Sequence, residues 1–155
     1  MSVTFTPIGH VSCTRSGLEH DHWDRETATI HLDPGVVTAD SLAGLEEFSH
    51  IEVIFHFHQA SPEQAETGAR RPRGRADWPL LGVFAQRSKS RPNPIGATIV
   101  RVLSVDGLTV KVAGLDAIDG TPVLDLKPYI EGFGPRGEVR QPAWASELME
   151  DYWED

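Results

Sequence analysis

ATIVRVLSVDGLTVKVAGL, residues Ala97–Leu115, decides the fold class. Two apolar runs alternate with period two around Asp106-Gly107, a pair that tolerates the positive φ of a tight turn. That is the pattern of a β-hairpin, which pairs neighbouring strands antiparallel. HIEVIFHFHQ (His50–Gln59) alternates in the same way, with Ile51, Val53, Phe55 and Phe57 on one face and His50, Glu52, Ile54, His56 and His58 on the other. VTFTPIGHV near the start and ATIHLD (Ala28–Asp33) read as further strands, and LDAIDGTPVLDL carries a second hairpin signal centred on Asp119-Gly120.

Helical pattern is sparse. TADSLAGLEEF predicts a short helix with Thr38 or Asp40 as N-cap, and PAWASELMEDYWED predicts a helix starting after Pro142. About six or seven strands recur at short spacing with hairpin turns and no regular βαβ alternation. The expectation is a mainly β single domain over residues 1–155, an antiparallel barrel or sandwich with a few short helices. No G-x-G-x-x-G is present, so a Rossmann cofactor site is not expected.

Composition narrows the classes. The chain has 155 residues, 39% hydrophobic and 24% charged, which suits one packed domain. Cys13 is its only cysteine, which excludes an internal disulfide and a cysteine-based zinc cluster. No basic-then-apolar leader opens it and no run approaches ~20 apolar residues, so the expectation is a soluble cytoplasmic protein without a membrane partner. Net charge is −9, a balance that counts against nucleic-acid binding by the chain as a whole. The charge is uneven, however. Arg70, Arg71, Arg73, Arg75, Arg87, Lys89 and Arg91 form a basic segment, and ELMEDYWED at the end carries acids alone.

Four stretches concentrate chemistry. QRSKSRPNPIG (Gln86–Gly96) sets three cations beside two prolines that flank Asn93, between runs that look buried. Such a corner is either a rigid, soluble surface loop or an anion or nucleotide site in which Arg87 and Arg91 offer planar donor forks. His56 and His58 form an H-x-H pair that a strand places on one face, and His20-Asp21-His22 offers further ligands; such histidines either bind a metal or bond to backbone at a barrel mouth. Asp116, Asp119 and Asp125 surround the D-G-T-P turn, where they serve the turn and solvent or face a ligand with amino or hydroxyl groups. ARRPRGRADW (Ala69–Trp78) is a solvated loop or an RNA-backbone contact with Trp78 as a stacking platform.

In this order, LEEFSHIEVIFHFHQ, GVFAQRSKSRPNPIGATIVRVL and LDAIDGTPVLDLKPYI resemble the TsaA-like (TrmO-type) proteins over roughly residues 5–130, leaving 131–155 as a C-terminal extension. The resemblance implies a small β-barrel, a homodimer, and S-adenosylmethionine (SAM) as methyl donor, used to methylate N6 of threonylcarbamoyl-adenosine beside the tRNA anticodon. By motif it implies cofactor contacts from His58 and Gln59, from Arg87, Arg91 and Asn93, and from Asp116, Ala117, Ile118 and Asp119. The family's N-terminal loop reaches the cofactor through an R-Q-P-like sequence. Here that region reads SGLEHDHWDRET, and no cofactor contact is assigned to residues 16–27.

SAM carries a carboxylate, an ammonium, a sulfonium and an adenine but no phosphate, in keeping with the missing phosphate loop. The arginine corner would fork the carboxylate, Asp116 or Asp119 would meet the ammonium or ribose, and no metal is needed. His58 or Asp119 would take a proton from the acceptor. Arg70, Arg71, Arg73 and Arg75 would guide an anticodon loop. Two alternatives stand beside this reading: a small-molecule methyltransferase or SAM-binding module, and a metal-dependent barrel enzyme using His56 and His58.

Overall fold

The structure, a computed structural model, describes residues 1–17 and 19–154. Six strands close into an antiparallel barrel: β1 (Gly9–Cys13), β2 (Thr27–Leu32), β3 (His50–His56), β6 (Ile95–Asp106), β7 (Thr109–Ala113) and β8 (Pro122–Pro128). Around the barrel the order is β1-β2-β7-β6-β3-β8. Two short strands, β4 (Ala69–Arg70) and β5 (Leu81–Gly82), pair outside it, and one helix, α1 (Ala143–Leu148), follows Pro142. The expectation of a mainly β barrel with few short helices holds.

Alternation builds the core. Ile51, Val53 and Phe55 of β3 face Val100, Thr98 and Gly96 of β6 across the ladder, and all but Thr98 are buried. Val11, Ile30, Val110, Val112 and Val123 complete a lining with no exposed surface. Each such side chain contributes about 1.5–3 kcal/mol by leaving water. Gly96 is required by packing, because a Cβ there would lie 2.5 Å from the Phe55 ring.

The β6–β7 hairpin turns at Asp106-Gly107 as its sequence predicts, with Asp106 opposite Thr109. Its alternation slips once. A bulge between Val102 and Ser104 lets both Val102 and Val105 pack on the core, while Leu103 turns outward.

Three expectations are corrected. The Asp119-Gly120 turn does not join a hairpin, because both edges of β7 are taken by β2 and β6 and both edges of β8 by β1 and β3. Residues 114–121 instead cross one barrel end and bond to β1, through Gly120 N–H to the Val11 carbonyl and Val11 N–H to the Thr121 carbonyl. The strand expected to run to Gln59 ends at His56, where the chain turns and Ala60 N–H bonds the Phe57 carbonyl. Residues 38–48 form two 3-10 turns, Ala39–Leu42 and Leu45–Glu47, separated by Gly44 at φ 88°, and Thr38 makes no side-chain cap.

Antiparallel pairing sets one barrel end apart. The ends of β1, β3 and β7 and the starts of β2, β6 and β8 all meet there. Residues 14–26, 57–94 and 114–121 connect these ends, so the basic corner, His56, His58, Asp116 and Asp119 belong to this mouth, whereas Asp125 lies within β8 and pairs with Lys127.

Candidate functional site

Asp116 is held from two sides at this mouth. Thr98 Oγ1, on the inward parity of β6, donates to its Oδ1 at 2.5 Å, and the Tyr152 hydroxyl donates to its Oδ2. Burial, the Asp116 charge and this hydrogen bond push the Tyr152 phenol far above its ordinary range, while the facing guanidiniums of Arg87 and Arg73 oppose that rise. Arg87 itself donates to the Ala97 carbonyl at 2.5 Å, one residue from Thr98. Arg87, Thr98, Asp116 and Tyr152 therefore form one group drawn from a loop, a strand, a crossing and the C-terminal segment.

The other end of the crossing holds Asp119. Its Oδ1 accepts the Cys13 N–H at 3.1 Å, and its own N–H donates to the Arg15 carbonyl at 2.8 Å. Ala117 is buried, and its carbonyl receives the Cys13 thiol. Burial first, with the charges of Asp119 and Glu26 adding to it, raises the thiol pKa and keeps Cys13 protonated. The Ile118 carbonyl accepts both the N–H and the hydroxyl of Thr121. Gly120 adopts φ 83°, and a Cβ there would sit 3.7 Å from His58 Nε2. The crossing thus brings His58 beside the Asp119 turn.

The corner is rigid by construction. Arg91 Nη1 donates to the carbonyls of Gln86 and Ser88, at 2.9 and 3.3 Å, so part of its guanidinium shapes the loop. Buried Gln86 bonds the carbonyls of Arg70 and Leu81 and ties the corner to β4 and β5. Asn93 and Gln59 are exposed. Two buried polar atoms, His58 Nδ1 and Ser88 Oγ, have no hydrogen-bond partner among the described residues.

The arginines of residues 70–75 are largely committed. Arg73 grips Asp21 with two bonds, at 2.9 and 3.2 Å; Arg75 grips Asp77 and stacks on Trp78 with 3.9 Å between guanidinium carbon and ring centre; Arg71 donates to the Trp78 carbonyl. Arg70 is exposed. Trp78 is 3% exposed, and its indole N–H donates to Glu147 at 2.7 Å, so it is a packing residue and not an open stacking platform. His56 closes β3 while His58 lies in the turn that follows, so the two histidines do not share the strand expected to hold them on one face. Among the described residues no three or more His, Cys, Asp or Glu side chains converge as metal ligands would.

Sequence reasoning missed Thr98, Ser88 and Tyr152. Thr98 left a signal, a polar residue at an inward position of an apolar strand. Tyr152 left none, because it sits in an acidic tail remote from every motif.

A closed six-stranded antiparallel barrel whose polar groups gather at one mouth, without a phosphate loop, defines the class of this molecule. The chain belongs to the tRNA-methyltransferase O N-terminal domain family, whose model matches residues 18–134. RcsF of Pseudomonas aeruginosa is 37% identical over 135 residues, covering 84% of this chain and 56% of that protein. The tRNA (adenine(37)-N6)-methyltransferase of Escherichia coli is 43% identical over 107 residues, covering 65% of this chain and 44% of that protein. A Methanothermobacter thermautotrophicus protein named "Probable S-adenosyl-L-methionine-binding protein" is 37% identical, covering 88% of this chain and 97% of its own length. The crystal structure of TrmO from Pseudomonas aeruginosa superposes with a TM-score of 0.72 at 31% identity, covering 90% of this chain and 62% of that one. The chain spans about half the length of these two bacterial curated relatives. No helix among the described residues is long and apolar enough to cross a membrane.

Proposed function

We propose that this domain is a SAM-dependent methyltransferase that transfers the methyl to N6 of threonylcarbamoyl-adenosine beside a tRNA anticodon. The observation that carries the reading is the mouth itself: Asp116 held by the Thr98 and Tyr152 hydroxyls, the Arg87 charge acting on Tyr152, and His58 beside the Asp119 turn, all but Tyr152 inside the span 18–134 that the family model matches.

The residues fit the cofactor. A buried polar atom without a partner costs about 1–3 kcal/mol, so His58 Nδ1 and Ser88 Oγ favour a ligand that brings polar groups to them. His58, Gln59, Arg87, Arg91, Asn93 and residues 116–119 would hold it, with Asp116 accepting from ammonium or ribose and the guanidiniums meeting the carboxylate. When bound, SAM supplies an electrophilic methyl on its sulfonium. The chain's own work is then to align the acceptor nitrogen and exclude water. His58 or Asp119 accepts the acceptor's proton; the Cys13 N–H fixes Asp119 for that role while its side chain stays exposed.

A second copy would cover the outer face of β6, where Ile95, Ile99 and Leu103 are all exposed. Sedimentation at micromolar concentration should then report about twice 17.1 kDa. A monomer would remove the homodimer from this reading.

Calorimetry in chelator tests the cofactor, and mass spectrometry of bulk tRNA from cells with and without the gene tests the acceptor. The expected results are micromolar SAM binding without metal and loss of the N6-methylated nucleoside when the gene is removed. Binding that appears only with a divalent ion would overturn the cofactor assignment in favour of a metal enzyme. Unchanged tRNA with intact SAM binding would move the acceptor to a small molecule or leave a SAM-binding module.

A further inference from the structure

The C-terminal segment reaches the mouth by several independent anchors. Trp23 N–H donates to the Tyr152 carbonyl at 2.9 Å and His22 N–H to the Asp151 carbonyl at 3.1 Å. His22 Nδ1 lies 3.0 Å from the Glu154 carbonyl, Glu147 accepts the Trp78 indole N–H, and the Trp153 ring packs edge-on against Tyr152. Loop 19–23 is held in turn by Arg15, which donates to the carbonyls of Asp21 and His22, and by Arg73 on Asp21. Loop, basic segment and tail lock together, and what they deliver to the mouth is the Tyr152 hydroxyl.

A carboxylate offers about four lone-pair sites. Thr98 and Tyr152 occupy one on each oxygen of Asp116, from opposite elements, and thereby restrict its torsion while leaving acceptor capacity. We propose that Tyr152 is a positioning residue for the cofactor site: it orients Asp116 so that the remaining lone pairs meet the ammonium or ribose hydroxyls of the ligand. This rests on the cofactor reading above. It gives the C-terminal segment a part in binding that no motif in the sequence assigns to it.

A double-mutant cycle on the full chain tests this, with S-adenosylhomocysteine as the calorimetric probe and urea midpoints measured alongside to show that each variant is folded. Tyr152→Phe should weaken binding roughly 5–20-fold, within the range by which residues of one hydrogen-bond network couple. In an Asp116→Asn background the same change should cost under about 2-fold, because the residue it acts through has already been altered. Equal losses in both backgrounds would overturn the proposal and make the tail merely structural. Tighter binding by Tyr152→Phe would overturn it in favour of a tail that blocks the site. Undisturbed binding in Tyr152→Phe with a large loss in Asp116→Asn would overturn it and leave the cofactor reading standing. Absence of binding by every protein, wild type included, would overturn both.

Discussion

Arg91 and Gly96 sit five residues apart and are constrained for unrelated reasons. Arg91 spends one nitrogen on two loop carbonyls, so it both shapes the corner and presents the rest of its fork. Lysine keeps the charge but has no second nitrogen to present to a carboxylate once its ammonium meets these carbonyls. Arg91→Lys should weaken SAM binding by about 1.5–3 kcal/mol, measured by calorimetry with stability checked in parallel. A change within ~0.5 kcal/mol would reduce Arg91 to a residue that shapes the loop without meeting the cofactor. Gly96 answers to the core alone. Gly96→Ala would drive a methyl into the Phe55 ring, whose exposure is 1%, and should destabilise the fold by about 1–3 kcal/mol. The check is a lower urea midpoint at unchanged m-value.

Among the elements, the C-terminal segment has the most distinctive electrostatics. Tyr152 is half-buried against Asp116, and its phenol is held well above the ordinary value of about 10 that it regains on unfolding. A raised folded pKa makes the folded state the better proton binder. Its stabilising effect is therefore fully present below about pH 10 and is lost as pH rises from there toward the folded value. Urea unfolding between about pH 9 and about pH 11 should show wild type losing more stability than Tyr152→Phe. Parallel losses in the two proteins would mean that the hydroxyl is not held by Asp116 in solution.

For the whole molecule, the question is how a chain of net charge −9 would engage RNA. The structure sharpens the answer, because Arg73 and Arg75 are already paired with Asp21 and Asp77. Arg70 and Arg71 carry the part of residues 70–75 that no carboxylate offsets among the described ion pairs. Replacing all four by alanine should reduce tRNA affinity and lower the slope of log K against log salt by up to about 2 units, at roughly 0.7–0.9 per lost phosphate contact. SAM affinity should fall little in Arg70→Ala/Arg71→Ala, whose side chains hold no carboxylate of loop 19–23. The quadruple variant should lose more, because the Arg73–Asp21 pair holds loop 19–23, on which the tail and Tyr152 are anchored. Absence of tRNA binding by wild type at ~150 mM salt would remove tRNA as the acceptor and leave a small-molecule methyltransferase or a SAM-binding module.

Antiparallel β structure, the Asp106-Gly107 hairpin and the inward faces of β3 and β7 were legible in the sequence, because period-two alternation is a local property of strands whose one face is buried. The motif residues of the mouth were legible too, as residue types in unusual runs. Long-range pairing decided the rest. Which edges β7 and β8 offered depended on strands far away in the chain, so the Asp119-Gly120 turn became a crossing and not a hairpin. The partners of Asp116 come from β6 and from the C-terminal segment, with Tyr152 reaching across a sequence separation of 36 residues. No periodicity encodes such a contact. It exists because the β6–β7 hairpin sets the start of β6 beside the end of β7 at one mouth, and because the tail anchors there on Trp23, His22 and Trp78.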